Sequence, residues 1–249
     1  MLVLFTVKDR IALLPYFIRY YQSIGASRFI CCLFTGRRNP IYPEIEAWES
    51  KVDLEIRDGV MYESVWCGPT EAEAIDHIRS TLVDRWHVIA DLDEFYWLPK
   101  GTTLQHMAAK LEAANCEAAS CHLIDRIAAD GSLVYPGETL DGTYPLACNL
   151  TRSIGAAYDK VAVVKPTTPL ISGHHGVKEG TRSLAWGEYH HFKWLPGILE
   201  IIQQRSIHFR ELKIPWAEEG YKTSAKFTNS KLNLNDPALK TWPAPLLGI

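Results

Sequence analysis

Several patterns that would name a chemistry outright are missing from this 249-residue chain. It has no G-x-x-x-x-G-K-[ST] and no G-x-G-x-x-G, so it carries neither a P-loop nor a dinucleotide fingerprint. No G-x-S-x-G occurs either, and a Ser-His-Asp or Cys-His site is not signalled. The six cysteines, Cys31, Cys32, Cys67, Cys116, Cys121 and Cys148, form no C-x-x-C pair and mostly lie in apolar segments. That placement reads as reduced, buried thiols. There is no Lys/Arg block, and the formal net charge of -3 argues against a nucleic-acid surface while leaving room for a local basic pocket. No apolar run is long enough to span a bilayer, and the start, Met1 to Asp9, has no basic leader and no cleavage site. The expected location is cytoplasmic, with a place at the periphery of a membrane left open to whatever the substrate is.

What is present is an ordinary globular composition, 47% hydrophobic and 22% charged, in a chain long enough for one large core. Leu2 to Val7 reads as a strand, and Leu14, Phe17, Ile18, Tyr21 and Ile24 recur at helical spacing, with Pro15 in the first turn and Gly25 as a stop. Arg28 to Phe34 and Val52 to Ile56 return to strand. Thr70 and Glu73 suit a capping box ahead of a stripe of Ala74, Ile75, Ile78 and Leu82. Four strands and three helices alternate by Asp91, the rhythm of a doubly wound α/β half. Further on, Thr102 to Gln105 can cap a helix, Glu117 to Ile124 is a strand ending at Asp125, and Lys160 to Lys165 is another. The expected architecture is a single α/β domain over 1–249 with a mixed, mostly parallel sheet and helices on both faces. Its parts would be a first half at 1–95, a second half at 96–228, and an extended tail at 229–249.

The segment Trp86-His-Val-Ile-Ala-Asp-Leu-Asp-Glu-Phe95 carries the clearest chemical signal. An apolar strand ends abruptly in acid, and the carboxyl ends of parallel strands are where open α/β sheets place their ligands. Strand alternation puts Asp91 and Asp93 on one side, where two carboxylates can converge on a hard divalent cation, and sends Glu94 to the opposite face. An imidazole can join such an ion when it is Mn²⁺-like, and His174, His175, His190 and His191 are the candidates. Lys160, Lys165, Arg152 and Arg182 surround the histidine loop in sequence and could neutralise a departing diphosphate. A carboxylate base for an acceptor hydroxyl is expected at Asp125, with Asp141 and Glu188 competing.

Three motifs in order resemble family 2-like glycosyltransferases: Thr6-Val-Lys-Asp9 with Leu13 to Tyr21, the "D-x-D-E-F" of Asp91 to Phe95, and Lys160, Lys165-Pro166, His174-His175 and His190 to Trp194. The resemblance covers the chain to about Tyr221. It implies a GT-A fold, a nucleotide-diphosphate sugar donor, a glycan, lipid-linked or other hydroxyl acceptor, and an Mn²⁺ or Mg²⁺ ion on the diphosphate. By position, Thr6 and Asp9 would approach the nucleoside, Asp91 the ribose or metal, Asp93 the metal, and Lys160 the nucleotide-sugar. Asp9-Arg10 stands where many relatives carry Asn-Glu. The expected activity is metal-dependent transfer of a sugar with inversion. An aspartate-dependent phosphohydrolase and a sugar-nucleotide binding module without turnover are the alternatives.

Overall fold

The computed structural model describes residues 1–8, 10–34, 40–58, 68–82, 86–214 and 216–249. In chain order the elements are β1 (Leu2–Val7), α1 (Leu14–Ser23), β2 (Arg28–Leu33), α2 (Tyr42–Glu46), β3 (Leu54–Asp58), α3 (Gly68–Ser80), β4 (His87–Asp91), β5 (Glu94–Trp97), α4 (Leu104–Ala113) and β6 (Ala118–Ile127). There follow α5 (Leu140–Thr143), β7 (Leu146–Cys148), α6 (Leu150–Ser153), β8 (Asp159–Val164), β9 (Ser183–His191), α7 (Ile198–Glu211), α8 (Ala217–Ser224), β10 (Phe227–Thr228), β11 (Lys231–Leu232) and β12 (Thr241–Pro243). The class is α/β with a mixed sheet. Two compact units result, one of Met1–His122 with Asp159–Tyr189, the other of Leu123–Tyr158 with His190–Ile249.

In the first unit β3, β2, β1 and β4 lie side by side and all parallel. Beyond β4 the direction changes, because β8 pairs with it antiparallel and the first half of β6 pairs antiparallel with β8. Every residue of β1 is buried, as a strand covered on both faces requires. Leu2 and Leu4 join Ile30, Cys32 and the α3 residues Ala74, Ile75 and Ile78 on one face. On the other face Phe5 meets Phe17 of α1 at 4.9 Å, and Phe17 also contacts Tyr21 and Phe95. Alternation along β1 therefore recruits one helix to each side. Gly25 ends the α1 turn at φ +105, a conformation that side chains rarely adopt. Thr103 caps α4 by accepting from the His106 backbone N–H, and His106 Nδ1 accepts in return from the Thr103 N–H. This is a capping box closed by imidazole in place of the usual Glu or Gln. Cys31, Cys32, Cys116, Cys121 and Cys148 are free and buried; Cys67 falls outside the described residues.

In the second unit the rest of β6 pairs with β7 and β7 with β12, all antiparallel. The core gathers Ile127, Cys148, Leu150, Ile154, Trp194, Ile198 and Ile202 with Leu232 and Leu239. The tail, expected as extended surface packing, instead supplies strand β12 and is tied down where Asp141 accepts from the Leu247 and Gly248 N–H groups. No helix among the described residues is long and apolar enough to cross a membrane.

Because Phe17 is fully buried between β1 and β5, its ring is the joint of the α1 face. Phe17→Ala should lower the unfolding free energy by about 3–5 kcal/mol in urea melts, and Phe17→Leu by distinctly less.

Candidate active site

In the order β3-β2-β1-β4, the chain runs outward from β1 to β3 and then returns to the other side of β1. The direction of winding reverses between β1 and β4, and open α/β sheets leave a crevice at the carboxyl ends of such a strand pair. Two polar residues stand there. Thr6 and Asp91 are register partners, and the Thr6 hydroxyl donates to Asp91 Oδ1. The Asp91 side chain is 25% exposed, so it faces both the interior and solvent.

Asp91 is the last residue of β4, and the chain turns through Leu92 and Asp93 before β5 begins at Glu94. Strand alternation fails across that turn. The structure accordingly brings Asp91 together with Glu94, which corrects the expectation that Glu94 points away. Glu94 Oε2 accepts from the Asp91 backbone N–H at 3.0 Å, and the side chain is 1% exposed.

Lys160, on β8, reaches the same place. Its ammonium lies 2.8 Å from Glu94 Oε1 and 3.5 Å from Asp91 Oδ2. It also lies 3.3 Å from the Gly173 carbonyl and 3.2 Å from His174 Nε2. His174 arrives on a short 3₁₀ turn, Ser172–His174, in which Gly173 sits at φ +69 and a Cβ would stand 2.8 Å from the His175 ring. A glycine is what lets the two histidines follow each other so tightly. His174 Nε2 is also 3.4 Å from Glu94 Oε2, so it can accept from the ammonium or donate to the carboxylate but not both. Among the described residues its Nδ1 is buried without a partner. His175 turns elsewhere: its Nδ1 hydrogen-bonds the Asp159 carbonyl at 2.9 Å, which a carbonyl can only accept, leaving Nε2 unprotonated in the neutral ring.

Burial by itself would raise both carboxyls, but for each the adjacent Lys160 charge is the strongest opposing influence. Glu94 is lowered to about 2 despite repulsion from Asp91. Asp91 falls well below the ordinary carboxylate range, helped by Lys8, His174 and the Thr6 hydrogen bond. His175 is lowered to about 4, first by burial and then by the Lys160 charge. Asp91, Glu94 and His174 each offer a ligand atom, all within 4.8 Å of one another, a group able to hold a metal ion. Beside Lys160 and His175 opens a cleft of 490 Å³, lined also by Cys121, His122, Trp186 and Gly187.

The other expected site residues are placed as follows. Asp9 lies outside the described residues. Asp125 is not at a strand end, since β6 continues to Ile127, and it is fully buried in the second unit. Its oxygens accept from the Thr151 N–H and hydroxyl at 2.7 and 2.8 Å and from Trp194 Nε1 at 2.9 Å, with His191 Nδ1 at 3.3 Å. Burial would raise this carboxyl, but the His191, Thr151 and Trp194 partners hold it lowered. The carboxylate expected as the base is thus buried with its oxygens engaged by Thr151 and Trp194. His190 and His191 are also buried, His190 Nδ1 lying 3.1 Å from the buried Arg126. Asp141 pairs with Arg126 at 3.1 Å, while Glu188 lies on β9. Lys165 stacks over Trp86 and Arg152 over Tyr158, while Lys160 lies in the cluster. Glu94 is the residue that sequence reasoning misassigned. Its signal was the spacing of three from Asp91, which spans a tight turn as readily as it spans a strand.

No family model and no curated protein matches the chain. Among solved structures it is similar to a UDP-glucose pyrophosphorylase complexed with UDP-glucose, at 9% identity and a TM-score of 0.36 over 84% of this chain and 98% of that one. It is similar also to HddC from Yersinia pseudotuberculosis, at 11% identity and 0.39 over 80% and 96%. A third is the UTP-bound UGPase from Acinetobacter baumannii, at 10% identity and 0.33 over 93% and 84%.

Glu94→Gln should destabilise the chain by about 3–5 kcal/mol, since it strands a buried ammonium, whereas Asp93→Asn should cost under about 1 kcal/mol. The pH dependence has a definite sign. A carboxyl lowered from 4.5 to about 2 on folding contributes its full stability above pH 4.5 and loses it as pH falls towards 2. Urea melts of wild type and Glu94→Gln should therefore differ most above pH 4.5 and converge as pH falls to about 2.

Proposed function

We propose that this chain binds a nucleotide-diphosphate sugar at the carboxyl ends of β1 and β4 and transfers the sugar to a hydroxyl acceptor. The reading rests on one observation: Asp91, a partly exposed carboxylate at the winding reversal of the sheet, is oriented by Thr6 and backed by the buried Lys160, Glu94 and His174. A strongly ionised carboxylate that is still open to solvent can accept from ribose hydroxyls. The Lys160 charge behind it moderates the field that an incoming diphosphate meets. Where a divalent ion binds, Asp91, Glu94 and His174 would hold it, and it would supply Lewis-acid stabilisation to the leaving diphosphate.

The cleft beside Lys160 and His175 is the place for the acceptor, and the partly buried Trp186 on its wall offers an aromatic face to a sugar ring. With Asp125 occupied elsewhere, the candidate for taking the acceptor's proton is His122. Its Nδ1 lies 2.6 Å from the Asp159 carboxylate, a contact that can orient the ring towards an acceptor.

A thermal-shift panel of nucleoside diphosphates and their sugars, with and without Mn²⁺, tests this reading. One nucleotide and its sugar should raise Tm, by the equivalent of about 2.7 kcal/mol at a hundredfold excess over Kd. Asp91→Asn should abolish that shift, and His122→Gln should keep it while lowering turnover about 100-fold or more. No shift with any nucleotide, or Asp91-dependent phosphate release from an aryl phosphate, would reject sugar transfer. Binding without turnover on any acceptor would leave a sugar-nucleotide binding module.

A further inference from the structure

The three side chains that could ligate a metal are the ones that already surround an ammonium. Lys160 Nζ contacts Glu94 at 2.8 Å, His174 Nε2 at 3.2 Å and Asp91 at 3.5 Å, and the Gly173 carbonyl at 3.3 Å adds a fourth acceptor. Two carboxylates, an imidazole nitrogen and a carbonyl are the shell expected around a small hard cation. Here the cation at their centre is covalently part of the chain, and Lys160 is only 4% exposed.

We propose that Lys160 is the resident cation of this site, and that a divalent ion gains Asp91, Glu94 and His174 only in competition with it. Both positive charges would need the same lone pairs. An ion bonded to Glu94 and Asp91 would stand within a few ångströms of an ammonium that also approaches those oxygens, and burial leaves little solvent to screen the repulsion. Lys160 projects from β8, where it is the register partner of Cys121 on β6, and the strand residues after it, Val161 to Val164, are fully buried. Withdrawing the ammonium would leave it without the partners that allow its burial. The inverse also holds. Removing the ammonium leaves two adjacent carboxylates and a buried imidazole with an unpartnered Nδ1, an arrangement that a divalent ion neutralises better than any other small species. This inference concerns metal binding by the nucleotide-free chain and does not depend on what reaction the site performs.

The test is Mn²⁺ binding by the full chain, read from the electron paramagnetic resonance signal of free Mn²⁺, together with Tm in Mn²⁺ and in EDTA. Wild type should leave the free Mn²⁺ signal intact to millimolar concentration, with a Tm indifferent to both additives. Lys160→Met should bind Mn²⁺ at least about tenfold more tightly and gain Tm in its presence. Adding Glu94→Gln to Lys160→Met should remove that gain. If Lys160→Met is unfolded alone, recovery of its circular dichroism on adding Mn²⁺ supports the proposal, and failure to recover counts against it. Micromolar Mn²⁺ binding by wild type overturns it without any variant. So does a folded Lys160→Met that binds Mn²⁺ no better than wild type.

Discussion

The Lys160 ammonium and the Glu94 carboxylate are both all but absent from solvent, and neither could be buried as a charge without the other. Their contact at 2.8 Å joins the first residue of β5 to β8, the strand on which the sheet changes from parallel to antiparallel. Asp91 stands at the open edge of this pair, and its orientation follows from the same set of contacts. Glu94 accepts from its backbone, Thr6 donates to one of its oxygens, and Lys160 lies beneath the other.

The second unit has a buried polar centre of its own, and the contrast is informative. Asp125 and Arg126 are consecutive on β6 and so face opposite ways. Asp125 is saturated by Thr151, Trp194 and His191. Arg126 is held by Asp141, the Tyr144 carbonyl and His190. Asp125 and Arg126 are both closed off from solvent. Asp91 differs in one respect: a quarter of its side chain is open. That remaining access separates a carboxylate able to meet a ligand from one that holds a fold together.

Histidines divide along the same line. His190 and His191 are neighbours on a strand and each serves a buried charge in the second unit. His174 and His175 are neighbours on a glycine turn, and they diverge: one ring enters the charged cluster while the other bonds the Asp159 carbonyl and borders the cleft. As sequence, the two doublets look alike. Strand geometry fixes the rings of one pair on opposite faces, whereas the turn at Gly173 sets the other pair independently.

The order of strands and helices in the first unit was legible in the chain itself. Apolar runs such as Leu2 to Val7 and helical stripes such as Leu14, Phe17, Ile18 and Tyr21 obey local periodicities that any solvent-excluding sheet imposes. The end of β4 was legible too, because a strand stops being apolar where it leaves the core. What sequence could not fix was direction after a turn and distance across the sheet. Alternation sent Glu94 to the opposite face, and the two-residue turn before β5 brought it to Asp91. Asp125 read as a strand end because charge usually marks one, but pairing with β7 carried β6 past it into a buried position. The meeting of Lys160 with a carboxylate 69 residues away depends on β8 lying against β4. Pairing of that kind is set by the whole sheet, and no local pattern in the chain encodes it.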